Sequence, residues 1–247
     1  MANSSAHPSK PRSQLHRPDL TRLPVINSWR KSARRFICWL SRILILIWTI
    51  PDIEGLENFP TTGPALIVSN HLGDADLILG WAFVPRSADL IAKMELRSIP
   101  IVGWLLDMYG VIWIHRGQPD RRALRAALQG LAEGRLIAIA PEGRESLTGS
   151  LEEGTQGAAY IALKADAHLI PVTFTGTENK QIFHNIKRLR RTQVSLTIGK
   201  PFRLNGAPDH RQAIDDGTNA IMQVLASQLP PAYRGYYGNK RFGNEYQ

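Results

Sequence analysis

The sequence predicts an α/β fold: a mainly parallel central sheet flanked by helices, preceded by an N-terminal membrane-associating helix. Three observations carry this expectation. From residue 65 onward, apolar runs of four to six residues alternate with longer stretches of helical periodicity. The length of 247 residues, 43% of them hydrophobic, suits one domain with a sizeable core. A strongly apolar segment with cations on its upstream side stands ahead of the first run.

Taken in order, residues 1–34 are basic and rich in Ser, Pro and Arg, with little apolar periodicity, and a flexible N-terminus is expected there. The net charge of +9 is concentrated in this part of the chain. Residues 1–50 hold nine Lys and Arg against Asp19 alone, whereas residues 51–247 are close to neutral. A basic terminus on a neutral body argues against a nucleic-acid partner.

Residues 35–51 contain the apolar run Phe36 to Ile50 and end at Pro51. At about 1.5 Å per residue such a run falls short of the roughly 20 residues needed to span a bilayer, and Arg42 interrupts it. Lys31, Arg34 and Arg35 upstream, with Trp39 and Trp48 inside, predict a helix lying in or dipping into the membrane surface through residues 36–50, at the cytoplasmic face. A secretory signal is disfavoured because Pro51-Asp52-Ile53-Glu54 offers no small-residue cleavage site. Residues 1–50 are therefore expected to be removable from a folded domain at 52–232.

Within that domain, strands are predicted at Ala65–Ser69, Asp89–Ala92, Val111–Ile114, Leu136–Ala140, Leu169–Phe174 and Val194–Ile198. Helices are predicted at Asp74–Phe83, Ile101–Tyr109, Pro119–Glu133, Thr155–Ala167 and Arg211–Leu229. Residues 233–247, polar with several Gly and Tyr, read as a loosely held tail. Cys38 is the single cysteine, which excludes an intramolecular disulfide and a Cys-based metal site.

Chemistry concentrates in Asn70-His71-Leu72-Gly73-Asp74-Ala75-Asp76, between a buried strand and a helix. Gly73 lets the chain bend, Asp74 is a candidate N-cap, and Asp76 in the first helical turn can reach back to a ring nitrogen of His71. Such a pair fixes the tautomer of the imidazole and stabilises its charged form. No nucleophile accompanies the dyad, so the nucleophile would be a substrate hydroxyl. Glu142, Gly143 and Arg144 follow the run Leu136–Ile139, and Arg116 follows Val111–Ile114. Arginines at the ends of neighbouring strands suggest an anion pocket, because guanidinium forks match phosphate. His115, His168, His184 and His210 lack partners at ligand spacing and read as surface or structural residues. The basic run Lys187 to Arg191 reads as a loop.

These blocks together resemble the 1-acylglycerol-3-phosphate acyltransferase family, the lysophosphatidic acid acyltransferases of glycerolipid synthesis. The match comprises Asn70 to Asp76, Gly110 to Gly117, Ala140 to Ser146 and Leu169-Ile170-Pro171-Val172, in order over about residues 50–205. The resemblance implies transfer of an acyl chain from coenzyme A or acyl carrier protein to a hydroxyl of a lysophospholipid, with no metal or redox cofactor. It further implies His71 as general base with Asp76 orienting it, and Arg116, Glu142, Gly143 and Arg144 as binders of the acceptor's phosphate. An oxyanion donor would come from turn amides near Gly73 or Gly143. The chain departs from the family pattern at Gly73, Ala140 and Arg144-Glu145, which leaves another lysolipid or an amphiphilic alcohol open as acceptor. A non-catalytic lipid-binding protein on the same scaffold is the alternative of a different class. The absence of a Gly-x-Ser-x-Gly turn disfavours a serine hydrolase.

Overall fold

All six predicted strands form within two residues of their expected bounds in the computed structural model, which describes residues 17–115, 120–206 and 209–238. They are β2 (Ala65–Ser69), β3 (Asp89–Lys93), β4 (Ile112–Ile114), β5 (Leu136–Ile139), β6 (Leu169–Thr175) and β7 (Thr192–Ile198). A further strand, β1 (Thr49–Glu54), follows directly from helix α1 (Ser28–Trp48). Among the described residues they form one sheet in the order β1-β7-β6-β2-β5-β3-β4. The five from β6 to β4 run parallel, β7 is antiparallel to β6, and β1 is parallel to β7.

The central strands are covered on both faces, so they read as continuous apolar runs rather than alternating ones. On β2, Leu66 and Val68 enter one core cluster while Ala65 and Ile67 enter the other. The first cluster is closed by α4 (Arg121–Ala132), α5 (Gly157–Ala165) and α7 (His210–Gln228). The opposite face carries α1, α2 (Asp74–Phe83), α3 (Pro100–Tyr109) and α6 (Asn179–Lys187). Helix α6 was not expected from sequence. It buries Ile182 alone, too little periodicity to read, and the basic run begins at its last residue.

The N-terminus differs from expectation in three ways. Helix α1 starts at Ser28, where the Asn27 side chain accepts a hydrogen bond from the Arg30 amide at 2.9 Å, so residues 28–34 of the supposedly flexible segment are helical. Arg34 is buried, donating to the carbonyls of Tyr109 and Gly110 and to Asp89. The helix ends before Thr49 because Pro51 disfavours helical backbone in the residue before it, and β1 as an edge strand tolerates the proline. Removing residues 1–50 would strip the sheet of Ala33, Ile37 and Ile45 and expose the partners of Arg34, so a folded domain at 52–232 does not follow. Among the described residues no helix is long and apolar enough to cross a membrane.

Residues 233–238 also depart from the loosely held tail expected at 233–247, of which 239–247 lie outside the described residues. Tyr237 is 1% exposed and its hydroxyl accepts the Gly154 amide hydrogen at 3.2 Å. Tyr233 and Tyr236 exchange backbone bonds with Leu151 at 2.8 and 3.0 Å. Aromatic burial supplies what the polar composition of the segment conceals. Tyr237→Ala is expected to cost about 3–5 kcal/mol, as aromatic truncation in a core does, and urea unfolding monitored by circular dichroism measures it.

Candidate active site

Parallel strands place their carboxyl ends on one edge, and the candidate residues gather there. β2 delivers Asn70 and His71, its neighbour β5 delivers Glu142, and β6 on the other side ends beside Gly176. The Asn70 amide group splices two of these ends. Its Nδ2 donates to the Phe174 carbonyl at 2.9 Å, and its Oδ1 accepts the Phe174 amide hydrogen at 2.8 Å. Asn70 thus imitates a residue of a β ladder where β2 turns away.

Asp76 organises the turn that follows. Its Oδ2 accepts from His71 Nδ1 at 2.9 Å, from the Leu72 amide at 2.7 Å and from the Gly73 amide at 3.0 Å. Nδ1 therefore carries the hydrogen, and Nε2 presents its lone pair. Nε2 makes no hydrogen bond among the described residues, and the His71 side chain is 32% exposed against 6% for Asp76. The N-cap of α2 is Gly73 rather than Asp74, whose amide instead donates to Asn179 Oδ1 at 3.0 Å. Gly73 is extended, with φ −179°, so its role is close approach: a Cβ there would sit 2.5 Å from the Thr177 carbonyl oxygen. The amides of Gly73 and Gly143 themselves are spent, on Asp76 and on the Ala140 carbonyl, which leaves the neighbouring amides of these turns as the candidates for the oxyanion donor.

Glu142 is 1% exposed and ties two loops together. Its Oε1 accepts the His71 amide hydrogen at 3.0 Å and its Oε2 accepts that of Glu152 at 2.8 Å. Gly143, at φ +69°, makes the turn that follows. Arg144 is held by Glu152, whose Oε2 meets both Nε and Nη2 of the guanidinium at 2.6 Å, with both side chains largely buried. Glu152 was not singled out from sequence, and only the folding of the 143–156 loop brings it to Arg144. Glu145 Oε1 accepts from Asn179 Nδ2 at 3.0 Å, which links this loop to the start of α2 through Asn179.

Arg116 lies outside the described residues. Its neighbour His115 follows β4, and β3 stands between β4 and β5, so the two strands are not the neighbours that sequence suggested. His115 does have a carboxylate partner: its Nδ1 meets Asp120 Oδ2 at 3.1 Å, with the same five-residue offset as His71 and Asp76. The two pairs differ at the other nitrogen. His115 Nε2 accepts the Arg17 amide hydrogen at 3.0 Å, which leaves no lone pair to act as a base.

Burial opposes charging the His71 ring, but the Asp76 hydrogen bond and the charges of Asp76, Glu145 and Glu142 favour it. The net effect holds the ring's pKa above the ordinary histidine value. Burial pushes the Glu142 carboxyl up to about 7, against the pull of the Glu152 and His71 amides.

A family model described as acyltransferase matches residues 51–175, half of the chain, and spans β2 to β6 with His71, Asp76, Glu142, Arg144 and Glu152 of the site. The chain belongs to the acyltransferase family. This family member is 30% identical over 216 residues to a 1-acyl-sn-glycerol-3-phosphate acyltransferase of Chlamydomonas reinhardtii, covering 85% of this chain and 62% of the relative. It is 32% identical over 182 residues to a chloroplastic 1-acyl-sn-glycerol-3-phosphate acyltransferase of Arabidopsis thaliana, covering 72% and 51%. The chain thus spans between half and two thirds of the length of these curated relatives. The crystal structure of the 1-acyl-sn-glycerophosphate acyltransferase of Thermotoga maritima superposes with a TM-score of 0.60 at 26% identity, covering 80% of this chain and 81% of that one.

Because folding raises the Glu142 pKa, this acyltransferase-family chain should hold the associated stability fully below about pH 4.5 and lose it as pH rises through about 7. The expected outcome is a steeper fall in the urea midpoint between pH 5 and 8 for wild type than for Glu142→Gln. The slope rather than the absolute midpoint is the readout, since the amide of glutamine meets a backbone N–H on one side.

Proposed function

We propose that the chain transfers a fatty acyl group from a coenzyme A or acyl-carrier-protein thioester to a hydroxyl of a lysophospholipid, 1-acylglycerol-3-phosphate being the acceptor the family relatives suggest. The observation that carries this reading is the His71–Asp76 pair, with Nε2 unoccupied at the strand edge of an acyltransferase-family chain. Nε2 takes the hydroxyl proton as the oxygen attacks the thioester carbonyl, since an imidazole cannot ionise an alcohol in advance of attack. Asp76 stabilises the resulting imidazolium. The tetrahedral intermediate collapses by breaking the carbon–sulfur bond, and the departing sulfur takes the proton back from Nε2. An ester and a free thiol are the products.

The oxyanion of that intermediate needs N–H donors. The amides of Arg144 and Glu145 make no hydrogen bond among the described residues, and they lie in the loop that Glu142 ties to His71. We assign the acceptor's phosphate to Arg116 and Arg144, with Glu142 and Gly143 shaping the loop that presents Arg144. Arg144 meets a phosphate while keeping Glu152 as its support.

The same reading places the protein on a membrane surface at the cytoplasmic face. On α1, Trp29, Phe36, Trp39, Leu46 and Ile47 are exposed and fall within an arc of about 100° at 3.6 residues per turn. Helix α3 packs against α1 and adds exposed Ile101 and Trp104. Such a stripe, away from the buried arc of Ala33, Ile37, Ser41 and Ile45, suits insertion to the depth of the headgroup boundary.

Thiol release from acyl-coenzyme A and acyl-carrier-protein donors, measured with lysophosphatidic acid and other lysolipids, tests the chemistry. His71→Ala is expected to abolish acceptor-dependent release, and Asp76→Asn to lower turnover by roughly 10²–10⁴-fold, the range for a misdirected general base. Activity should rise with pH through a value above 6.5, because the base must be neutral, and the Asn variant should shift that limb downward. Release indifferent to His71 would defeat the reading. In liposome pelleting, Trp39→Asp with Ile47→Asp should reduce binding by roughly tenfold, since each carboxylate opposes insertion, and unchanged pelleting would exclude α1 as the anchor.

A further inference from the structure

A second concave site lies at the opposite edge of the sheet, where the parallel strands begin. A cavity of about 310 Å³ opens between the first turns of α1, the Arg86-Ser87 turn, and the starts of β3 and β5 at Asp89 and Leu136. His71 follows the carboxyl end of β2, at the other edge of the sheet, so the length of the strands separates the two sites. The cavity is lined by five cations, Lys31, Arg34, Arg35, Arg86 and Arg135, and by one carboxylate, Asp89.

That carboxylate is already divided. Asp89 Oδ1 accepts from Arg34 Nη2 at 2.5 Å, and Oδ2 from Arg135 Nη1 at 3.3 Å. Arg135 also pairs with Glu133 at 2.5 Å on the rim. The remaining three cations have no carboxylate within ion-pair distance among the described residues. Arg86 is aimed by the carbonyls of Pro60 and Gly63 at 3.2 and 3.1 Å, and these bonds orient its guanidinium without neutralising it. Lys31 and Arg35 sit one helical turn apart, a spacing at which like charges repel. Unbalanced cations from separate elements on a concave wall focus a positive potential.

We propose that this cavity binds a phosphate group, supplied by the headgroup of an anionic phospholipid beneath α1. Three uncompensated cations, two of them guanidinium forks, match the charge and the oxygens of a phosphate better than those of a carboxylate. The lipid source follows from the helical wheel. Lys31, Arg35 and Arg42 fall within an arc of about 40° beside the exposed apolar stripe of α1. With the stripe inserted, that flank lies at headgroup depth, and two of its cations, Lys31 and Arg35, line the cavity. The lipid source rests on the membrane docking proposed above; the phosphate site itself does not.

Two measurements on the full chain test the proposal. Thermal unfolding in sodium phosphate against sodium chloride at matched ionic strength reads the site. Co-sedimentation with phosphatidylcholine vesicles, with and without phosphatidic acid, reads the source. Arg35→Gln and Arg86→Gln each remove a cavity cation from a different element, whereas Arg42→Gln removes a cation from the same flank of α1 outside the cavity. Phosphate is expected to raise the unfolding midpoint of wild type and Arg42→Gln, and the two cavity variants should lose at least half of that shift. Phosphatidic acid should strengthen vesicle binding severalfold for wild type and Arg42→Gln but not for the cavity variants. A cavity-dependent phosphate shift with unchanged vesicle preference would keep the site and assign it to a soluble phosphate ester. Equal losses in all three variants, or no phosphate-specific shift in wild type, would overturn it. Trp39→Asp with Ile47→Asp separates the docking reading, because it should weaken binding to both kinds of vesicle by roughly tenfold and leave the phosphate shift intact.

Discussion

Asp76 Oδ2 receives three N–H groups, one from the ring of His71 and two from the amides of Leu72 and Gly73. Those amides face the same oxygen only when the turn closes tightly ahead of α2. The imidazole is therefore aimed by the backbone as much as by its own side-chain bond. Burial of the carboxylate beside the start of a helix is tolerable because three donors and the helix dipole compensate it. The tightness has a cost elsewhere, since it brings Gly73 against the Thr177 carbonyl and leaves no space for a side chain.

Around that turn the other polar residues act as ties between loops. Asn70 joins the end of β2 to β6, Glu142 joins the His71 amide to Glu152, and Asn179 joins Glu145 to the start of α2. Each tie ends on a backbone amide or carbonyl for at least one of its bonds, which fixes main-chain position rather than side-chain pose. Reaction geometry held in this way does not depend on flexible rotamers. The raised pKa of Glu142 makes one of these ties responsive to proton concentration near neutrality.

Much of this was legible in the sequence, for identifiable reasons. β2 and α2 were read to the residue because an unbroken apolar run and a polar turn mark the boundary between them. The His71–Asp76 contact was read because five residues with a glycine between them permit it. What could not be read depends on distant partners. β1 begins in the last two residues of an apolar segment that reads as helix, and only β7 makes it a strand. Arg34 looked like one more surface cation, yet it is buried against Asp89, fifty-five positions away. Glu152 carries no local signal at all. His115 and Asp120 repeat the spacing of the dyad, and the amide of Arg17 on Nε2 makes this imidazole a saturated one.

The tyrosines after α7 give the molecule an order of assembly. Tyr233 and Tyr237 hold Leu151, Gly154 and Gly176, and through Leu151 they position the strand of loop that carries Glu152 to Arg144 and Glu142. A chain leaving the ribosome makes the dyad early and these tyrosines more than 150 positions later. Until they fold back, the loop beside His71 has no floor. A nascent chain would thus carry His71 beside an unfinished loop, and that surrounding would be complete only with closure of the aromatic clasp.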